Sequence, residues 1–333
     1  MRHSEYGGYL PAENDNREYY YDTLNMCVCR LNAARYGIVE ACKELGCNCV
    51  YIPYYLCSSV CDALEKNNIQ HKKYNINSSF EPLLQDLDSD SMVVIVNYYG
   101  IFNDSFYSNM KKRFKNIIFD NTQSFFSSPI IADGIYNVYS PRKFVGVSDG
   151  AYLISQNIRV SQHYPRDCSS DRFSFVFKSL ENGTNSKYKA FLAAEEDLCS
   201  GTVMEMSSVT RCLLSNINYK KVFNTRKENF HRMCQKLNAH NLLSHFCTNA
   251  DDSISCCPMV YPLLLERDCG KRVREYLIDN KVYVSQWWKV VMDYTEANDF
   301  EKWLSEDLIP LPIDQRYGLE DMDELAKMIM EII

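Results

Sequence analysis

The sequence predicts an α/β domain with a mainly parallel central sheet and helices on both faces, followed by a smaller α+β domain. Strand-like and helix-like segments alternate over roughly 140 residues, which is typical of parallel sheets. The run SMVVIVNYY is apolar almost throughout, as in a strand covered on both faces. Beyond about Arg159 the pattern changes to polar loops and long helices, which marks the second domain.

The first domain divides into short elements. Apolar residues spaced about 3.6 apart predict a helix over 33–45, which Gly46 ends. A strand in CNCVYIPYY ends at Pro53. The remaining predicted elements are a helix over 58–67, a strand in HKKYNI, a strand over 91–98, a helix over 106–114, and strands over 116–120 and 136–139.

The C-terminal half predicts helices over 187–199 and 203–237 and a strand in PMVYPLLL. A helix beginning near Cys269, a short strand-like segment in VYVSQWW and a final helix over 319–332 follow. The predicted organisation is therefore a lead-in segment over 1–20, a large domain over 21–160 and a smaller domain over 161–333.

Composition narrows the possible functions. A net charge of −7 argues against nucleic acid as a partner, because phosphate binding needs concentrated Lys and Arg. No apolar run is long enough for a membrane span, and the start has no secretory signal, which predicts a cytoplasmic protein. The 15 cysteines form no paired CxxC and the histidines have no metal spacing, so no metal site is expected.

Two charged residues lie where such a sheet carries its chemistry, at the carboxyl ends of strands. Asp120 ends NIIFD, and Lys143 lies in NVYSPRKFVGVSDGAYL between two apolar runs. Each has an ordinary alternative, since Asp often starts turns and most lysines are solvated. Burial would lower the pKa of the lysine, and an uncharged amine can attack a carbonyl. An acid and an amine of this kind are what a pyridoxal 5′-phosphate enzyme requires.

The order of the motifs RLNAARYG, PYYLC, NYYG, FDNTQ, SPRK and DGA resembles the DegT/DnrJ/EryC1/StrS family of aminotransferases. In the C-terminal half, VMEMSSVTRCLLSNINYKKVFNTRKENF, YPLLL and LSEDLIPLPIDQRYGLEDMDELAKMI are similar to the family's corresponding segments. The resemblance spans nearly the whole chain. It implies fold type I, a pyridoxal 5′-phosphate cofactor and a homodimer with active sites at the subunit interface.

The resemblance also implies roles for single residues. Lys143 would form the Schiff base and carry the proton, and Asp120 would pair with the pyridine nitrogen. Gln123 would contact the ring, and Ser140 would join the phosphate cradle at the helix start. The phosphate cradle itself would be Ala33, Ala34 and Arg35. The ring-stacking position aligns with Cys57, although Tyr55 is physically a better ring partner. The substrate side would include Tyr9, Asn97, Tyr99 and Trp287.

The implied reaction moves an amino group from a donor such as glutamate to a keto or aldehyde acceptor, for which the family often uses nucleotide-linked keto sugars. Two departures support an alternative, a non-catalytic or regulatory protein of the same fold. The cradle has Ala33 and Ala34 where the family has Gly with Thr or Ser. The stretch matching Gly-x-Asn-x-Arg-Met, which reaches the neighbouring subunit's cofactor phosphate in the family, carries Val203 and Glu205.

Overall fold

The computed structural model describes residues 26–85, 87–156, 164–182 and 188–333. Its strands are β1 Cys27–Leu31, β2 Cys49–Pro53, β3 His71–Tyr74, β4 Ser91–Val96, β5 Ile117–Asp120, β6 Ile135–Tyr139, β7 Ala151–Ser155, β8 Val260–Leu264 and β9 Leu308–Pro312. Its helices are α1 Ala34–Leu45, α2 Ser58–Lys66, α3 Asp104–Arg113, α4 Ser174–Asn182, α5 Tyr188–Ser200, α6 Ser208–Ser215, α7 Tyr219–Leu237, α8 Ser244–Asp252, α9 Cys269–Asp279, α10 Asp299–Asp307 and α11 Leu319–Met330.

Seven strands form one sheet in the order β1-β7-β6-β5-β4-β2-β3. Strand β7 pairs antiparallel with both of its neighbours, and the other pairs are parallel. Every residue of β4 and β5 is buried, as the unbroken apolar run predicts for strands covered on both faces. The predicted mainly parallel α/β sheet is confirmed.

Helix α1 packs directly onto the sheet because glycine allows close approach. A methyl group on Gly37 would lie only 3.1 Å from Val138 Cγ1 on β6. The side chains of Ile38, Val39 and Ala41 are buried beneath the helix. Gly46 then ends α1 with a φ of 66°, a left-handed conformation that glycine adopts without strain. This packing brings the N-terminus of α1 to the region of the sheet that carries the candidate site.

The C-terminal half contains helices around a second, two-stranded sheet of β8 and β9. Two sequence predictions are wrong there. The helix predicted over 203–237 is two helices, α6 and α7, because Asn216 ends the first and the Asn218 side chain caps the second by accepting the Lys221 N–H. The segment VYVSQWW forms no strand; Trp288 has a φ of 52°, and Ser305 Oγ donates to the carbonyl oxygens of Trp287 and Trp288.

No helix among the described residues is long and apolar enough to cross a membrane.

One buried carboxylate ties α10 to the segment after β3. Glu301 is 0% exposed and accepts the N–H of Ile76 at 3.1 Å and that of Asn298 at 3.1 Å. Asn298 Oδ1 in turn accepts the Glu301 N–H at 2.9 Å, which completes a capping box. Burial raises the pKa of Glu301 to about 7, since the charged form loses hydration that these N–H groups only partly replace.

We expect Glu301 to make stability fall as pH rises. Its folded-state pKa lies above that of an unfolded glutamate, so the folded state holds the proton longer between about pH 4.5 and about 7. Across that window the free energy of unfolding should drop by up to about 3 kcal/mol. Glu301→Gln has the same shape and does not titrate, although it keeps only one of the two acceptor oxygens. It should therefore lose this component when urea unfolding is measured at both ends of the window. An identical pH dependence in the two proteins would show that the carboxylate does not titrate there.

Candidate active site

The candidate site lies at one edge of the large sheet, where three parallel strands end side by side. In the strand register, Val96 on β4 faces Asp120 on β5, and Asp120 faces Val138 on β6. The loops after these strands therefore meet at one edge, which is where open α/β sheets hold their ligands.

Asp120 and Lys143 are linked through one threonine. The backbone N–H of Thr122 donates to Asp120 Oδ1 at 3.0 Å, and Lys143 Nζ donates to Thr122 Oγ1 at 3.1 Å. Asp120 is only 4% exposed. The structure thus brings the predicted acid and the predicted amine into one cluster, although 22 positions of the chain lie between them.

The loop that carries Lys143 is anchored at both ends. It begins with Ser140, which is buried, and turns through Pro141–Lys143 in a short 3-10 helix. The carbonyl oxygen of Phe144 then accepts from Gln315 Nε2 at 2.8 Å and from Arg226 Nη2 at 3.4 Å. Arg226 also donates to the carbonyl oxygen of Met259 at 3.0 Å, so the C-terminal half fixes the position of the lysine.

The Lys143 residue as a whole is exposed to solvent, but protein atoms surround its amine closely enough to change the pKa. Burial is the largest influence and lowers the pKa of Lys143; the negative charge of Asp120 partly offsets this, and Arg142 adds to the lowering. A cavity of about 560 Å³ opens beside the residue, and its lining includes Lys143, Arg142, Phe144, Arg226, Gln315 and Arg316. A lowered pKa makes the uncharged, nucleophilic amine more accessible near neutral pH.

The start of α1 lies next to the lysine loop. The N–H of Gly150 donates to the carbonyl oxygen of Asn32 at 2.7 Å. Ala33 provides no side-chain cap to the helix, so the N–H groups of the first turn lack the usual side-chain acceptor. These groups and the positive end of the helix dipole suit an anion. Ala33 and Ala34, the small residues predicted for the cradle, form this helix start.

Arg35 follows them and is 9% exposed. Its Nη1 donates to Cys199 Sγ on α5 at 2.8 Å. The stretch containing Val203 and Glu205 also lies beside this helix start, because the Asn32 side chain donates to the Thr202 carbonyl oxygen at 3.1 Å and accepts the Met204 N–H at 3.2 Å.

The two candidates for ring stacking lie in different surroundings. Tyr55 is fully buried: its hydroxyl is 3.0 Å from that of Tyr99, and its ring centroid is 4.5 Å from that of Trp288. Cys57, which precedes α2, is exposed and lies within electrostatic range of Lys143. Of the pair, Cys57 is the exposed one and Tyr55 belongs to the aromatic core.

Three other predicted residues form a buried polar network behind the edge of the sheet. Gln123 Oε1 accepts the Tyr99 N–H at 2.5 Å, and Asn97 Nδ2 donates to Tyr107 Oη at 2.7 Å. Tyr99 has a φ of 61°, and its ring stacks on the half-buried Trp287 at 5.8 Å between centroids. Tyr9 lies outside the described residues.

Sequence reasoning missed two functional candidates, Thr122 and Arg142. Thr122 is part of the quoted motif FDNTQ, but only its two hydrogen bonds reveal that it connects the acid to the amine. Arg142 precedes Lys143 and pairs with Glu195 on α5, a contact between residues 53 positions apart that no local pattern indicates. Among the described residues, no group of three or more His, Cys, Asp or Glu side chains could hold a metal ion.

No protein-family model matches the chain, and no curated protein matches it by sequence. Solved structures do match its fold. A sugar aminotransferase of Micromonospora echinospora has a TM-score of 0.62 at 11% identity, covering 91% of this chain and 87% of its own. A DegT DnrJ EryC1 StrS aminotransferase of Brucella abortus has a TM-score of 0.59 at 9% identity, with 93% and 87% covered.

A third match is a Bacillus subtilis protein solved with bound cofactor PMP, at a TM-score of 0.58 and 13% identity, covering 92% of this chain and 73% of its own. The fold of this chain is therefore that of the DegT/DnrJ/EryC1/StrS-type sugar aminotransferases. The prediction of fold type I, with a mainly parallel sheet and a further α+β portion, is confirmed at the level of the fold.

Proposed function

We propose that this protein is a pyridoxal-phosphate-dependent aminotransferase acting on a sugar-type substrate. The observation that carries the proposal is the Asp120–Thr122–Lys143 cluster at the carboxyl ends of the sheet. The fold shared with sugar aminotransferases supports it.

The residues present fit pyridoxal 5′-phosphate at each point where it needs a partner. Lys143 offers an amine with a lowered pKa for the aldehyde carbon, and Asp120 offers a buried carboxylate for the ring nitrogen. The uncapped N-terminus of α1 offers N–H groups for the phosphate, and Arg35 adds positive charge. Ser140 would contact the phosphate and Gln123 the ring. Cys57 suits the ring face better than Tyr55, because it is the exposed member of the pair.

When bound, the cofactor supplies an electron sink that stabilises negative charge on the substrate carbon. Lys143 Nζ takes the substrate proton and returns it at the other end of the reaction, which is general acid–base catalysis by one positioned amine. Asp120 would accept the hydrogen bond of the ring nitrogen and so favour its protonated form. Thr122 holds both groups, since it donates to the carboxylate and accepts from the amine.

We propose glutamate as donor and a keto or aldehyde compound as acceptor, with nucleotide-linked keto sugars as the first class to test. Asn97, Tyr99 and Trp287 would bind the acceptor together with Tyr9. Trp287 is the best placed of the three for direct contact, because Asn97 and Tyr99 are buried and would act through the shape of the loop.

We also propose a homodimer in the cytoplasm, with residues 21–160 and 161–333 as its two domains. Large apolar side chains of α4 and α5 are exposed, among them Phe177 at 48%, Leu180 at 83% and Tyr188 at 64%, which is typical of a surface that another chain covers. All 15 cysteines are free thiols, as suits a reducing compartment.

The proposal predicts a yellow protein when it is purified with pyridoxal phosphate. Glutamate alone should bleach the visible band within one turnover, because the cofactor is left as pyridoxamine phosphate. A suitable keto sugar should restore the band and yield a product carrying an amino group in place of the carbonyl, measured by mass. A band that neither glutamate nor any other amino acid changes would contradict the aminotransferase assignment.

The alternative is a non-catalytic or regulatory protein with the same fold. The cradle residues Ala33 and Ala34 favour it, because neither supplies a hydroxyl to a phosphate. It predicts a colourless protein that cannot be reconstituted with the cofactor.

A further inference from the structure

Two arginines lie side by side between the start of α1 and the lysine loop. Arg35 donates to Cys199 Sγ, and Arg142 donates to Glu195 Oε1. Glu195 and Cys199 are one turn apart on α5, so the two guanidinium groups that reach them are neighbours. The Arg142 side chain is only 17% exposed.

Their charges are close enough to affect each other. The pKa of Arg142 is lowered to about 10, first by burial and then by the positive charge of Arg35, with Asp149 acting in the opposite direction. The nearby Arg172 is paired with Asp167 at 2.6 Å and Asp197 at 2.8 Å. In contrast, Arg35 meets a thiol and Arg142 meets a single carboxylate. The buried Nε of Arg142, like that of Arg172, has no partner among the described residues. Glu195 is the only carboxylate that bonds to either of the two arginines in the described part of the chain.

The two guanidinium groups thus carry more positive charge than the one bonded carboxylate neutralises, and the Nε–H of Arg142 is an unused hydrogen-bond donor among the described residues. Arg35 lies in the first turn of α1, and Arg142 directly precedes Lys143. A phosphate group near the helix start would meet both guanidinium groups, each of which can donate two parallel hydrogen bonds to phosphate oxygens. Glu195 would compete with such a phosphate, because it already accepts from Arg142.

We propose that Arg142, together with Arg35, binds the phosphate group of the cofactor, and that Glu195 occupies the guanidinium of Arg142 until the phosphate displaces it. This rests on the proposed function. The stretch beside the cradle carries Val203 and Glu205 where the family has Asn and Arg. With Arg142 as a phosphate ligand, the lysine loop supplies the positive charge that this stretch lacks.

The experiment compares pyridoxal phosphate with pyridoxal, which lacks the phosphate but offers Lys143 the same aldehyde. The dissociation constant of each is measured from its visible band, without any turnover, in the parent chain and in Arg142→Met. Arg142 also influences Lys143, but a change in the amine affects both ligands alike. The ratio of the two constants therefore isolates the phosphate contact.

We expect Arg142→Met to weaken pyridoxal phosphate by at least about tenfold and leave pyridoxal unchanged, as for the loss of a charged hydrogen bond. Arg142→Lys should recover part of the loss. A ratio equal to that of the parent chain would overturn the assignment of Arg142. Neither ligand giving a band in the parent chain would instead refute the proposed function itself.

Two further variants separate phosphate binding from a purely structural ion pair. Glu195→Gln removes the competing charge, so pyridoxal phosphate should bind severalfold more tightly and pyridoxal should not. An unchanged ratio of the two dissociation constants, or weaker binding of both ligands, would overturn the role of Glu195. This variant also tests the proposal if Arg142→Met fails to fold. Arg172→Met is the matched control: it removes a neighbouring guanidinium that already pairs with two carboxylates, and it should leave the ratio unchanged.

Discussion

Replacing Lys143 with alanine is expected to abolish amino transfer, with a loss in kcat of more than about a thousandfold. The amine is the group proposed to bond to the cofactor and to move the proton, and no other lysine contacts Asp120 or Thr122 among the described residues. The fold should survive, because within the described ranges the only hydrogen bond that the side chain makes is to Thr122.

Steady-state kinetics with glutamate and an accepted keto sugar would measure the loss, and urea unfolding would check the fold. Lys111→Ala is a suitable control, because Lys111 is an exposed lysine on α3. A Lys143→Ala protein with parent-level turnover would contradict the assignment of the catalytic amine.

Replacing Asp120 with asparagine should cost at least about a hundredfold in kcat. The amide has the same shape, and its carbonyl oxygen can still accept the Thr122 N–H. It carries no charge, however, and cannot hold a proton on the ring nitrogen. Because Asp120 raises the pKa of Lys143, the variant should also lower that pKa further, which a pH titration of cofactor binding would detect.

Asp120→Glu provides the comparison for this variant. It keeps the charge and displaces it by one methylene, so it should retain more activity than Asp120→Asn. Equal activities for the two variants would mean that the charge of residue 120 is unimportant for the reaction.

The parts of the fold that could be predicted are those whose signal is local. The β4 run is apolar because both of its faces are covered, and Gly46 ends α1 because it adopts a left-handed conformation. Strand β1 was not predicted, since CVCRL is short and includes a charged residue, and it is defined by pairing with β7 more than 110 positions along the chain. The break between α6 and α7 depends on capping by Asn218, a cue that helical periodicity hides.

The candidate site divides in the same way. Asp120 and Lys143 could be found because the ends of parallel strands and the loops after them are recognisable in sequence. Thr122 and Arg142 could not, because their importance comes from Lys143 and Glu195, which only the folded chain brings to them. The choice between Tyr55 and Cys57 likewise required knowing which of the two side chains is buried against Trp288.

The proposed function depends on a covalent bond between the amine of Lys143 and the cofactor. Reduction of the pyridoxal-phosphate-loaded protein with borohydride makes that bond permanent, and peptide mass mapping then identifies the modified residue. We expect one pyridoxyl-phosphate group per chain, on Lys143. A protein that binds the cofactor and carries the label on a different lysine, or takes up no label, would contradict it.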